Sequence, residues 1–127
     1  MRLINVPGLP PPAGHYSPAV QAGGFVFVSG MLPSADPLDA RRHDFAAQSR
    51  MALARCRQVL EAAGCSLQDV VQTTVYVVGM DHWADFNRIY QEALGAHRPA
   101  RAVVPVPELH HGFLVEVTMT AWCGRPA

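Results

Sequence analysis

Apolar and polar positions change period along this chain, and each change marks an element. Phe25-Val26-Phe27-Val28 is a short run of β-branched and aromatic residues that predicts a strand ending at Ser29-Gly30. Ala19-Val20-Gln21-Ala22 precedes it across the turn dipeptide Gly23-Gly24, so the two runs predict an early hairpin. Upstream, residues 7–12 hold four prolines and cannot form a regular helix. Ile4 and its apolar neighbours predict a short edge strand before them. Residues 14–18 are turn-rich and carry Tyr16, and residues 33–39 read as loop.

The period then lengthens. Asp44 predicts an N-cap for a helix to about Ala63, stopped by Gly64. Its apolar stripe is Phe45, Ala52, Cys56, Val59 and Ala63, widened by Leu53 and Leu60. Arg50, Arg55 and Arg57 fall mainly off that stripe and read as a solvated or interface face rather than an anion site. Residues 69–78 alternate and are rich in Val and Thr, which predicts a strand. Asp81 predicts the cap of a second helix over Trp83–Leu94, with Phe86, Ile89, Tyr90 and Leu94 inward.

Residues 98–104 and 113–122 read as two further strands around a loop of Pro and His ending at Gly112, a hairpin pattern. Pro105 and Pro107 share a parity and remove donors on one side, which puts that strand end at an edge. Arg101 and Glu116 are the charges set among apolar neighbours in these runs. A charge there is costly to bury without a partner. The hairpin would place the two on facing strands, about one residue pair from opposition. An arginine fork beside a carboxylate suits a small anionic substrate that also needs a proton moved. The alternative is a structural ion pair that holds the hairpin.

The order ββ-α-β-α-ββ predicts a two-layer α+β domain, one mixed sheet with two helices on one face, as a single unit over residues 1–127. The opposite sheet face, expected to include Val26, Val28, Val75, Val77 and Val115, would be apolar and bare. It predicts a homo-oligomer with sites near subunit junctions.

Composition narrows the function. Zero formal net charge gives no basic excess for nucleic acid. No apolar run approaches membrane-spanning length, and the N-terminus has no signal-peptide pattern. Cys56, Cys65 and Cys123 lack CxxC spacing and read as reduced thiols of a cytoplasmic protein. All ten basic residues are Arg, so a lysine Schiff base and a P-loop lysine are both excluded. The six His residues show no HxH or HExxH spacing, and no metal site is expected.

Five ordered blocks resemble the reactive-intermediate deaminase family, Rid, also called YjgF. They are Gly14-His15-Tyr16-Ser17, Phe27-Val28-Ser29-Gly30, Ala62-Ala63-Gly64 with Asp69-Val70-Val71, Asp85-Phe86-Asn87-Arg88-Ile89-Tyr90, and Pro99-Ala100-Arg101 with Leu114-Val115-Glu116-Val117. The resemblance implies a chorismate-mutase-like fold, a homotrimer with clefts between subunits, and hydrolysis of short-lived enamines and imines to 2-oxo acids and ammonia without a cofactor. It implies that Arg101 holds the substrate carboxylate, with help from the Val103 backbone N–H, and that Glu116 positions or deprotonates water. Tyr16, Ser29 and Asn87 would line the cleft. Read singly, Ser29 is a strand-end turn residue and Asn87 a polar helix residue, while Tyr16 is equally a core-edge aromatic or a cleft residue.

The chain departs from the family pattern at His15, Pro18, Met31 and His110-His111. His15 is either a second acid/base group or a solvated loop residue, and Met31 would favour a larger, more apolar substrate. The alternative to an enzyme is a non-catalytic trimer that binds a small carboxylate through Arg101 as a sensor. A chaperone-like or RNA-cleaving role is a third reading.

Overall fold

The structure is a computed structural model, and it describes residues 1–124. Its strands are β1 (Arg2–Ile4), β2 (Ala19–Ala22), β3 (Phe25–Val28), β4 (Val70–Val78), β5 (Ala100–Val106) and β6 (Val115–Trp122). The helices are α1 (Phe45–Ala62) and α2 (Trp83–Leu94). The strands form one mixed sheet in the order β1-β2-β3-β6-β4-β5. This is the two-layer α+β architecture the sequence predicts.

Local chemistry places most boundaries as expected. Gly23, at φ 57°, makes the β2–β3 turn. The Asp44 carboxylate accepts the Ala47 N–H and caps α1. The second cap differs from expectation: His82, not Asp81, is the N-cap of α2, and it makes no side-chain capping bond. His82 instead stacks on Phe45 at 4.3 Å, which ties the start of α2 to the start of α1.

The expected final hairpin does not form. β4 lies between β5 and β6, parallel to the first and antiparallel to the second. The reason is α2: a 12-residue helix between β4 and β5 carries the chain back along the sheet, which is the crossover that parallel pairing requires. β5 is therefore the sheet edge, as Pro105 and Pro107 predict.

The faces of the sheet are also assigned differently. Val26, Val28, Val75, Val77 and Val115 are not on the bare face; all are buried beneath the helices. They pack with Phe45, Ala52, Cys56, Val59, Phe86 and Ile89 from α1 and α2. The bare face carries the residues alternating with them. Phe25, Phe27 and Trp122 are 39%, 47% and 49% exposed, and the Phe25 and Trp122 rings meet edge-on at 4.8 Å. β3 is apolar on both faces, so its alternation held no polarity signal to orient it.

The thiols divide. Cys56 is buried and donates to the Val117 carbonyl, and burial pushes its pKa up to about 12. The expectation of reduced thiols is corrected for Cys65 and Cys123, which form a disulfide with Cα atoms 5.9 Å apart. The ladder explains it. Val70 pairs with Ala121, so the turn after α1 and the end of β6 are brought together from 58 residues apart.

Candidate functional site

Arg101 and Glu116 face opposite sides of the sheet. Arg101 pairs with Thr73 in the β4–β5 ladder, and the Thr73 hydroxyl accepts from Tyr90 of α2 at 2.9 Å, which marks the helix side. Glu116 pairs with Tyr76, which alternates with the buried Val75 and Val77 and so lies on the other side. No ion pair joins the two residues among those described, and the structural-pair reading is overturned.

The candidate residues form two clusters. The first surrounds Arg101 at the edge strand. Its guanidinium lies over the Tyr90 ring at 4.9 Å and near the Trp83 ring at 5.8 Å, and Nη2–H donates to Asn87 Oδ1 at 3.1 Å. The aromatic faces favour the cation without using its donors, and the Asn87 bond fixes the plane of the fork. Val103 is two residues along β5 and shares the Arg101 face.

The second cluster lines a cavity of about 760 Å³ whose wall is made by loop residues between 9 and 35, by Arg55 of α1 and by Glu116. Glu116, Ser29, Gly30, Tyr16 and Met31 are all in its wall. Glu116 is half-buried; desolvation raises its pKa above the ordinary carboxylate value, and the nearby His110 opposes that rise. Gly30 admits the carboxylate: a Cβ at this position would lie 3.1 Å from Glu116 Cδ. The Ser29 hydroxyl donates to the Ser17 carbonyl at 2.6 Å, which tethers the Tyr16 segment to the end of β3. Tyr16 is 56% exposed. His15 is exposed and is not part of the wall.

Three titratable wall residues were not singled out as site residues by the sequence. Arg55 lines the cavity rather than a solvated helix face. The signal was present: Arg55 is three residues after Ala52 and four before Val59, so it borders the apolar stripe of α1. His110 and His111 also line it, their rings stacked at 3.8 Å across a turn that holds His111 at φ 61°.

Among the described residues, one group has metal-like spacing, Cys65, Asp69 and Cys123. Its two sulfurs are joined to each other, and Asp69 accepts the Ser66 N–H in a capping box. Also among the described residues, no helix is long and apolar enough to cross a membrane.

Residues 8–123 match the family model described as endoribonuclease L-PSP. A RutC family protein of Pyrococcus horikoshii is 39% identical over 122 residues, covering 94% of this chain and 96% of the relative. The 3-aminoacrylate deaminase RutC of Acinetobacter baylyi is 36% identical over 123 residues, covering 94% and 95%. Among solved structures, RidA from an Antarctic Psychrobacter superposes with a TM-score of 0.88 at 32% identity, covering 96% of this chain and 99% of that one. TdcF of E. coli with bound serine gives 0.89 at 26% identity, covering 98% and 100%.

Proposed function

Because this chain belongs to the endoribonuclease L-PSP family, the Rid or YjgF family, which includes a deaminase, we propose that it hydrolyses 2-imino and 2-enamino acids to 2-oxo acids and ammonia. The observation that carries the reading is the division of the site. Arg101 and Glu116 face opposite sides of the sheet, so in this reading the carboxylate anchor and the acid/base group belong to separate clusters and neither is sufficient alone.

Two copies supply both. In this reading the Arg101 cluster of one subunit closes over the Glu116 cavity of its neighbour, in a homotrimer. The exposed Phe25, Phe27 and Trp122 support it, since an aromatic patch of this kind is expected to be covered. Arg101 and the Val103 N–H hold the substrate carboxylate, and Asn87 keeps the guanidinium in plane. Tyr16 and Ser29 border the bound imine.

The chemistry needs little beyond position. The protonated imine carbon is already electrophilic, so the proposal calls on no cofactor. Glu116 takes a proton from water as its oxygen attacks that carbon, giving a tetrahedral carbinolamine. Glu116 returns the proton to nitrogen, then takes the hydroxyl proton as the C–N bond breaks and the carbon–oxygen double bond forms, and passes it to the departing ammonia. One water is consumed and one ammonium leaves. A carboxyl with a raised pKa suits these transfers better than an ordinary carboxylate.

The placement of Glu116 in the cavity favours turnover over the sensor reading, because binding an anion gains nothing from a second carboxylate beside it. RNA cleavage gains no support from a chain of zero net charge without lysine. The test couples the protein to an amino-acid oxidase and follows imine decay over a panel of amino acids. Accelerated decay supports the proposal; decay at the uncatalysed rate for every imine refutes it.

A further inference from the structure

Arg55 is a cation in the cavity that the proposed reaction does not use. It projects from the middle of α1 and is half-buried. Its Nη1–H donates to the Leu32 carbonyl at 2.6 Å, which fixes the guanidinium at the cavity wall. Among the described residues no carboxylate lies within ion-pair distance of it. A guanidinium has five donors, and that carbonyl satisfies one. Burial lowers its pKa from the ordinary arginine value.

The surroundings state what would complete it. Leu9, Pro11, Met31 and Leu32 give the same cavity apolar walls. A purely apolar ligand would cover the remaining Arg55 donors and leave them without a partner, which is costly. A ligand with a distal anionic group would satisfy them, while its methylene carbons lay on the apolar wall. Arg55 and Glu116 both line this one cavity, so a ligand held beside Glu116 shares its space with the spare cation.

We propose that Arg55 is the binding site for a second carboxylate, so that the cavity selects imines of acidic amino acids. The α-carboxylate sits on Arg101 of the neighbouring subunit, the imine carbon beside Glu116, and the distal carboxylate on Arg55. This rests on the deaminase reading for the imine, while recognition of the diacid is separable from it.

The test uses the products, which are stable. Calorimetry compares 2-oxoglutarate with 2-oxopentanoate, which has the same carbon chain without the distal carboxylate. The wild-type protein should bind 2-oxoglutarate about 10- to 100-fold more tightly, the range of charge-assisted hydrogen bonds. Arg55→Met should bring the ratio of the two affinities close to one, and Arg55→Lys should retain part of it. Wild-type protein that binds both equally, or a preference that survives in Arg55→Met, overturns the proposal. The wild-type comparison decides even if Arg55→Met fails to fold. If the preference holds but no imine is hydrolysed, the deaminase reading fails and the diacid site stands. If imines are hydrolysed without any preference, the reverse is true.

Discussion

Arg101 and Glu116 stand on opposite faces of one sheet, with β4 between their strands. Within a single chain they cannot hold the same small substrate. The Arg101 fork is planar, supported by Asn87 and two aromatic rings, and has donors left for a carboxylate. Arg101→Ala should abolish imine hydrolysis while leaving the melting temperature close to wild type. Two charge-assisted bonds are worth about 1.5–3 kcal/mol each. Arg101→Lys should not rescue the reaction, because an ammonium lacks the fork. Coupled kinetics on the two variants check this, and near-normal turnover by the lysine variant would remove Arg101 from the role.

Glu116 should show itself twice in its pH dependence. Its pKa is raised by burial, so the folded protein binds that proton more tightly than the unfolded chain does. The stability it contributes is complete below the unfolded pKa and is lost as pH rises through the folded one. Glu116→Gln removes that penalty. The variant should melt above wild type at neutral pH, and the difference should vanish in acid below the ordinary carboxylate range. Its turnover should fall by about 10²–10⁴-fold. Wild-type activity should rise with pH through an apparent pKa above that of an ordinary glutamate.

Gly30 should behave as a positioning residue for Glu116. A methyl at this position meets the carboxylate within 3.1 Å, so the side chain must shift. Gly30→Ala should lower kcat by more than it raises KM, with little change in melting temperature. An unchanged kcat would mean that Glu116 has room to work from a second rotamer.

Phe27 tests the covered face. It is 47% exposed beside Phe25 and Trp122. Phe27→Glu should give a folded monomer by light scattering and circular dichroism, and that monomer should be inactive. An active monomer would contradict a site shared between subunits.

The sequence reached the elements more securely than their neighbours. The stripe over Phe45, Ala52, Cys56 and Val59 and the set Phe86, Ile89, Tyr90 and Leu94 mark α1 and α2 because helical periodicity is a local signal. Strand pairing is not local. The runs that hold Arg101 and Glu116 look like a hairpin because they adjoin in the chain, whereas α2 directs β5 to the far side of β4. The same error made the two charges appear to be neighbours. Which face of β3 lies under the helices was also hidden, since Val26 and Val28 alternate with Phe25 and Phe27 and both faces are apolar. Arg55 was read as surface because helix spacing gives an angle around the axis, not the loops that wall off a cavity there. The Cys65–Cys123 bridge depends on the Val70–Ala121 register, which no spacing reveals.

The measurement that bears most directly on a site shared between subunits is complementation. Arg101→Ala and Glu116→Gln subunits, each inactive alone, are unfolded, mixed in equal amounts and refolded together. In a cyclic assembly every junction draws Arg101 from one copy and Glu116 from the next, so about a quarter of the junctions regain both. The mixture should therefore recover about a quarter of wild-type imine hydrolysis. A mixture that assembles normally yet stays as inactive as its parts would contradict the account.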